Sequence, residues 1–253
     1  MTTSPLEGKT ALVTGSSRNL GAAIVSELAE SGVNVAVHHR DSETDARRVA
    51  AELSEKTGKE HPVLRADLTS VEETRRLCEE ALQSLGKVDI LVNNAGPFSM
   101  APFVELAESE WDRIWNANVK AAYLCTHHLA PRMRESGWGR IVNISAGSAY
   151  VRNHSVYTLA KEALITLTEE LALELGPEIT VNAVAPGQIA ESAEDIAEFD
   201  PTFVERSIEW TPAGRLVTRH EVATLARMLC EPPFDMVTGA TIPIDGGWRL
   251  PRF

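Results

Sequence analysis

Short apolar runs rich in β-branched residues alternate with longer helical stretches along almost the whole chain, and this alternation restricts the fold more than any other feature. The runs are Thr10–Thr14, Val33–His39, Pro62–Ala66, Val88–Asn93, Arg140–Ser145, Ile179–Ala185 and Ala240–Ile244. Most are apolar at successive positions, so both faces of each strand are set for burial, as in a parallel sheet covered by helices on both sides. Helical periodicity falls between them, at Leu20–Glu30, Asp45–Thr57, Val71–Leu85, Trp111–Arg134, Ser155–Leu175 and Glu221–Leu229. Ser70 with Glu73, and Thr218 with Glu221, have the spacing of capping boxes. Strict strand–helix alternation predicts an α/β fold with one doubly wound parallel sheet. No repeat, low-complexity tract or Pro/Gly linker divides the chain, so residues 1–253 are expected to form one domain. Gly187–Thr211 breaks the pattern: it is acidic, weakly periodic and follows a strand. Insertions at a strand's carboxyl edge lie where such sheets bind ligands, which makes about 188–211 a candidate substrate lid.

Charge and cysteine usage narrow the function. A net charge of −12 argues against nucleic acid, since phosphate binding needs clustered Lys and Arg. Cys78, Cys125 and Cys230 are far apart and odd in number, reading as buried or incidental thiols of a reducing compartment and not as a disulfide framework. Met1 to Lys9 carries no signal pattern and no apolar run is long enough to span a bilayer, so a cytoplasmic protein without membrane contact is expected. His38-His39 and His127-His128 are adjacent pairs without the i, i+4 spacing of helical metal ligands, and no metal is expected. His61, His154 and His220 read as surface or hydrogen-bonded histidines. A GxSxG elbow and a Walker-type loop are both missing from the sequence.

The first strand runs into TGSSRNLG, Thr14–Gly21, and then into a helix. Glycines there allow a tight turn and let backbone amides approach a pyrophosphate at a helix amino terminus, a Rossmann-type arrangement. The second strand ends Val37-His38-His39-Arg40, where NAD-preferring proteins of this type place an acid for the ribose 2′-hydroxyl. Arg18 and Arg40, with no acid at the His39 position, suit a 2′-phosphate instead, because guanidinium binds phosphate through several charge-assisted hydrogen bonds. NADP(H) is therefore the expected cofactor. Further along, Tyr157-Thr158-Leu159-Ala160-Lys161 puts a phenol and an ammonium four residues apart on one helical face. A nearby cation is expected to lower the tyrosine's pKa and suit it to give a proton to a carbonyl oxygen.

Together these residues resemble the short-chain dehydrogenase/reductase family, from Gly8 to about Gly247. TGxxxGxG is matched by Gly15 and Gly21, with Asn19 at the middle glycine, a residue that tolerates left-handed backbone angles. The NNAG signature is Asn93-Asn94-Ala95-Gly96, YxxxK is Tyr157 and Lys161, and Asn118 matches the family's helical asparagine, which holds a water behind the lysine. The resemblance implies cofactor contacts from Gly15, Ser17, Arg18, Asn19, Leu20, Gly21, His39, Arg40, Asp67, Leu68, Asn94, Ala95, Gly96, Pro186, Gly187 and Ile189. Tyr157 and Lys161 join them, the lysine holding the nicotinamide ribose. Two positions depart from the family pattern. Glu191 stands where the family has a threonine that contacts the carboxamide. Ala146 stands at the catalytic serine, flanked by Ser145 and Ser148. Ala146 and Ser148 would share a face along an extended strand end, which favours Ser148 as the replacement donor, with Ser145 or neither as alternatives.

The implied activity is hydride transfer between NADP(H) and a carbonyl or alcohol of a small molecule. 3-Oxoacyl thioester and pteridine reductases share most of these motifs, and a non-catalytic NADP(H)-binding sensor or scaffold is the rival of another class. Acidic residues across the lid (Glu191, Glu194, Asp195, Glu198, Asp200) favour a free neutral or cationic substrate over one carried on an acidic protein. Relatives commonly form tetramers through the helices near Trp111–Arg134 and Ser155–Leu175, so a homotetramer is expected.

Overall fold

The computed structural model describes residues 4–151, 155–198 and 200–250; His154 and the side chains of Glu194 and Asp195 lie outside the described part. Strands β1 (Thr10–Val13), β2 (Asn34–His39), β3 (Val63–Arg65), β4 (Ile90–Asn93), β5 (Gly139–Ile144), β6 (Ile179–Pro186) and β7 (Thr241–Ile244) form one sheet, ordered β3-β2-β1-β4-β5-β6-β7, with every pair parallel. Each expected run is found, its ends within two residues of the prediction.

The helices are α1 (Asn19–Glu30), α2 (Glu43–Thr57), α3 (Val71–Leu85), α4 (Glu108–Trp115), α5 (Ala121–Glu135), α6 (Val156–Leu175), α7 (Ala190–Ala197), α8 (Phe203–Glu209) and α9 (Arg219–Met228). Period-2 alternation sorts the strand side chains onto two faces. Val13, Val35, Val37, Val92 and Ile144 pack with α1, α2 and α9 through Ile24, Leu28, Leu53 and Val222. Leu12, Ala36, Leu91 and Ile141 face the other way, onto α3, α5 and α6 through Leu77, Leu129 and Leu171. Leu12 is fully buried, so Leu12→Ala would cost about 2–5 kcal/mol.

The chain leaves β1 toward β2 and β3 on one side, and later occupies β4 to β7 on the other. At such a reversal the loops after β1 and β4 part, opening a crevice at the carboxyl ends of the strands. The site is built there.

Three local expectations change. The single helix expected over Trp111–Arg134 is α4 and α5 joined by a π turn at Asn116–Lys120. Thr218 and Glu221 do form a reciprocal capping box. Ser70 accepts the Glu73 N–H, but the Glu73 carboxylate goes to the backbone N–H of Asp67 at 2.8 Å instead of closing the second box. The acidic insertion holds two short helices, and its charges are partly spoken for. Both Glu191 carboxylate oxygens accept the Arg219 N–H at 3.2 Å, fastening α7 to the start of α9. Asp200 pairs with Arg206 at 2.5 Å.

All three cysteines are free and buried. Among the described residues no helix is long and apolar enough to cross a membrane, and no group of three His, Cys, Asp or Glu is placed to hold a metal ion.

Candidate active site

A cleft of about 500 Å³ lies over the β1–α1 turn and the ends of β2, β3 and β4. The expected cofactor residues Gly15, Ser17, Arg18, Asn19, Leu20 and Gly21 line it, as do His39 with Arg40, Asp67 with Leu68, and Asn94 to Gly96. Local stereochemistry explains the loop. Gly15 has φ +65°, and a Cβ there would meet Ala95 at 3.1 Å. At Gly21 a Cβ would stand 2.2 Å from the Gly15 carbonyl oxygen, so the first turn of α1 can close onto the loop only without a side chain. Asn19, at the family's middle glycine, takes φ +53°, the left-handed conformation expected of it.

The crevice is stapled across its two lips. Thr14 Oγ1 accepts the backbone N–H of Asn94 and of Ala95, each at 3.0 Å. Asn94 Nδ2 returns hydrogen bonds to the carbonyls of Thr14 and Gly15 at 2.9 and 3.1 Å. Below, Asn93 Nδ2 donates to Asn143 Oδ1 at 2.8 Å, and Asn143 Nδ2 to Thr168 Oγ1 at 2.9 Å. This buried chain ties β4 to β5 and to α6, which carries the reactive pair.

At the adenosine end the charge balance differs from the sequence reading. Arg40 Nε pairs with Asp41 at 2.5 Å, and Asp41 lines the same cleft. An acid thus stands two residues beyond the inspected position, His39. Both side chains are more than half exposed, so the pair is loosely held. His39 is buried at 4% exposure with Nδ1 unpartnered, and burial lowers its pKa, so it enters as a neutral ring. Asp67 does the work of a turn cap as well as lining the cleft: its Oδ1 accepts from the Thr69 N–H at 2.9 Å and from Thr69 Oγ1 at 2.8 Å. The sequence reading missed Arg113, Pro97 and His38 as lining residues. Arg113 and Pro97 have no motif, while His38 had one visible oddity, a polar ring in an apolar strand.

The cleft leads to the YxxxK pair through Gly96. A Cβ on Gly96 would lie 2.2 Å from Asn118 Oδ1 and 3.0 Å from Lys161 Nζ, so the NNAG loop and the two side chains meet at this point. The π turn explains how Asn118 reaches it. Widening the helix by a residue lets Asn118 Nδ2 donate both to the Ile114 carbonyl at 2.9 Å and to the Pro97 carbonyl at 3.0 Å. Asn118 Oδ1 is buried without a partner. Ser155 caps α6, accepting the Thr158 N–H at 3.1 Å, and this sets Tyr157 in the first turn and Lys161 in the second. Lys161 Nζ lies 5.5 Å from the Tyr157 ring centroid and donates to the Ile144 carbonyl at 2.8 Å.

The electrostatics of the pair reverse one expectation. Burial raises Tyr157 to about 12 and lowers Lys161 to about 7. Desolvation disfavours both charged forms and moves each group toward neutral, which for the phenol is opposite to the lowering expected.

The serine region also differs. Gly147–Tyr150 is a 3₁₀ turn, so strand parity does not relate Ala146 to Ser148. Ser145 Oγ is committed, donating to the Lys161 carbonyl at 2.9 Å. Ser148 Oγ is buried and without a partner. Gly147 packs this turn against Pro186 and Gly187, its Cβ position being 3.1 Å from the Pro186 oxygen. Pro186 and Gly187 therefore stand beside Ser148 and away from the phosphate cleft. Ile189 is bridged to Val217 and packs on the first core face, and Glu191 is bound at α9 as described.

A loop with exposed apolar side chains, Phe98, Met100, Phe103 and Val104, follows the NNAG segment. The Phe98 ring meets Tyr157 edge-on at 4.9 Å while remaining 58% exposed.

Comparison with known proteins agrees with this geometry. The family model described as enoyl-(acyl carrier protein) reductase matches residues 15–249. The chain is 33% identical to a hydroxynaphthalene reductase-like protein of Metarhizium guizhouense, over 96% of this chain and 95% of that protein. It is also 33% identical to the 3-oxoacyl-acyl-carrier-protein reductase FabG of Staphylococcus epidermidis, over 96% of this chain and 99% of the other. Among solved structures, a short-chain dehydrogenase/reductase from Serratia marcescens superposes with a TM-score of 0.89 at 35% identity, covering 97% and 99% of the two chains. The RhlG/NADP active-site complex of Pseudomonas aeruginosa gives a TM-score of 0.89 at 34% identity, covering 99% and 100%. With its seven-stranded parallel sheet, glycine turn, NNAG loop and YxxxK helix, the chain belongs to the short-chain dehydrogenase/reductase family of oxidoreductases.

Proposed function

We propose that this protein is an NADP(H)-dependent oxidoreductase that moves a hydride between the nicotinamide and a carbonyl or alcohol carbon of a small, uncharged molecule. The observation carrying this reading is the convergence at Gly96, which lines the cleft and packs against Asn118 and Lys161, the lysine one helical turn from Tyr157. The cleft suits a dinucleotide on its own evidence. Gly15 and Gly21 make a cradle that a Cβ would fill, and His39 Nδ1 and Asn118 Oδ1 are buried polar atoms without partners.

When bound, a nicotinamide supplies or accepts the hydride. The chain's part is to hold the substrate oxygen and manage its proton. Tyr157, raised to about 12, keeps its proton at neutral pH and is in the form that can give it to a carbonyl oxygen. Lys161, near 7, can be charged when the phenol gives up its proton, offsetting the cost of a buried phenolate. Ser148 Oγ, a buried hydroxyl without a partner in the turn after β5, serves as a second donor to the substrate oxygen. Asn118 Oδ1 accepts from a water that reaches Lys161. The same two groups serve the reverse reaction, in which the phenolate takes the alcohol proton.

An apolar lip at Phe98, Met100 and Phe103 supports an uncharged substrate body. Arg18 and Arg40 on the cleft support the 2′-phosphate form of the cofactor, and the RhlG relative was solved with NADP. Exposed Tyr123 on α5, with Leu159 and Leu173 on α6, supports assembly of copies through those helices. The test is NADPH oxidation against ketones, quinones, 3-oxoacyl thioesters and dihydropterins. Turnover of a ketone or quinone supports the reading. Turnover only of a 3-oxoacyl group on carrier protein replaces the substrate, and no turnover with any of them removes the enzyme assignment.

A further inference from the structure

His38 is a fully bonded imidazole under the phosphate loop, and no motif assigns it a task. It is the next-to-last residue of β2, 2% exposed, on the face that Ala36 shares. From there the ring reaches beneath the β1–α1 turn. Nδ1 accepts the backbone N–H of Gly15 at 2.8 Å, and Nε2 lies 3.1 Å from the Ala66 carbonyl at the end of β3. An amide N–H on one nitrogen and a carbonyl on the other admit one tautomer only, neutral with the proton on Nε2. The backbone of His38 clasps the next loop residue as well: its N–H donates to Ser16 Oγ at 2.9 Å, and its carbonyl accepts the Ser16 N–H at 2.9 Å.

We infer that His38 is a positioning residue for the dinucleotide, a neutral wedge that fixes the plane of the Gly15 peptide and so aims the loop amides that follow. The inference rests on the reading of the cleft as a nucleotide site. The plain alternative is a satisfied core histidine that holds β2 to β3. Against it stands where the ring spends its acceptor. The Gly15 carbonyl is held from the opposite side by Asn94 Nδ2 at 3.1 Å, so the Gly15 residue is gripped at both its donor and its acceptor. A side chain is excluded as well, because Ala95 lies 3.1 Å from the Gly15 Cβ position and φ is +65°. A loop so pinned spends the Gly15 N–H on His38 and leaves an incoming pyrophosphate to the first-turn amides of α1, which have no partner within the helix. Without the imidazole the peptide is free to tilt, and those amides lose their common direction.

Neutrality is part of the device. A protonated Nδ1 would point its N–H at the Gly15 N–H, and burial holds His38 down at about 4. The groups facing it are the His39 ring and the Asp67 carboxylate, besides the Ala66 carbonyl.

The experiment compares His38→Leu, which keeps bulk without an acceptor, with His38→Asn, whose side-chain oxygen can take the Gly15 N–H. NADPH affinity is read by fluorescence titration, and kcat at saturating NADPH with whichever substrate turns over. His38→Leu should weaken NADPH binding at least 20-fold and change kcat less than threefold. His38→Asn should recover binding to within about threefold of wild type. A folded His38→Leu protein that binds NADPH within twofold of wild type overturns the inference, as does His38→Asn behaving like His38→Leu. If His38→Leu does not fold, ¹⁵N imidazole spectra of the wild type decide. An unprotonated Nδ1 that does not titrate between pH 5.5 and 8 supports the wedge, and an Nδ1–H tautomer overturns it. A wild type that binds neither NADPH nor NADH overturns the nucleotide reading and this inference together, whereas the variant results address the wedge alone.

Discussion

Two places in the crevice, the β1–α1 turn and the meeting of α6 with the turn after β5, handle their buried polar side chains in opposite ways. Around the β1–α1 turn, Thr14, Ser16, His38 and Asn94 answer one another through short hydrogen bonds, leaving His39 Nδ1 as the exception. Around β5 and α6, Ser148 Oγ and Asn118 Oδ1 are buried and unanswered, Ala146 replaces a donor, and Tyr157 and Lys161 are both driven toward their neutral forms. Each unanswered buried polar atom costs roughly 1–3 kcal/mol. The first place is built as a fixed frame, the second as a set of groups held ready at a cost to stability. Substitutions in the second place should therefore remove rate, and substitutions in the first should remove binding.

The sharpest break comes at Tyr157. Tyr157→Phe keeps the ring that packs on Phe98 and deletes the hydroxyl, so turnover should fall by about 10³-fold or more, while NADPH affinity stays within threefold. Lys161→Met should damage both rate and affinity. Steady-state kinetics with a binding titration checks both, and near-normal turnover in Tyr157→Phe would require another proton donor.

Next in size is the serine question. Ser148→Ala should lower kcat by roughly 10²-fold, as expected when a donor aimed at a developing oxyanion is lost. Ser145→Ala should leave kcat within threefold but lower the melting temperature, since its hydroxyl supports the Lys161 carbonyl. The reverse ranking would hand the role to Ser145. Two mild variants would leave Tyr157 and Lys161 without a serine partner.

A smaller effect tests the stability side of the comparison. Lys161 has a folded-state pKa near 7, well below its ordinary value of 10.5, so between those limits the unfolded chain binds more protons than the folded one. Stability from this group is lowest below pH 7 and recovers as pH rises toward 10.5. Relative to Lys161→Met, the wild type should gain about 2 kcal/mol between pH 7 and pH 9 in urea unfolding. A stability difference flat across that range would mean that the ammonium stays charged in the folded protein.

What the sequence disclosed follows the same division. Strands apolar on both faces declare themselves, Gly15 and Asn19 take left-handed backbone that few other residues adopt, and Gly21 is required by the close approach of the Gly15 carbonyl. Tyr157 and Lys161 were legible because a helix fixes what lies four residues away, whereas Asn118 was legible only through the family's motif, its π turn being unforeseen. The turn after β5 was not legible: Gly147–Tyr150 winds into a 3₁₀ turn, and strand parity fails there. Nor were pairings between distant segments. Glu191 is absorbed by the amino terminus of α9 and His38 by the phosphate loop, contacts set by how the elements pack and not by local spacing. The pKa of Tyr157 was misjudged for a related reason, because spacing gives the distance to a cation but not the burial around both groups.

The smallest expected effect concerns cofactor choice, on the side of the frame. Arg18 and Arg40 line the cleft, and a 2′-phosphate there would gain charge-assisted hydrogen bonds that a ribose hydroxyl would not. NADPH should bind at least tenfold tighter than NADH, about 1.4 kcal/mol. Asp41 limits the preference, because its carboxylate already pairs with Arg40 and must be displaced by the phosphate. An exposed pair of this kind is worth roughly 0–1 kcal/mol, less than the expected gain from the phosphate, so displacement should still be favourable. Two substitutions separate these terms. Arg40→Ala should erase most of the NADPH preference while leaving NADH affinity nearly unchanged. Asp41→Asn should raise the preference by about threefold, since it frees the guanidinium and removes a like charge from the phosphate. Both effects should shrink at high salt because the pair lies at the surface. Parallel titrations with the two cofactors measure all of this. Equal affinities in the wild type would show that Arg40 stays with Asp41, and that the second strand's acid, displaced by two positions, makes the cleft indifferent to the phosphate.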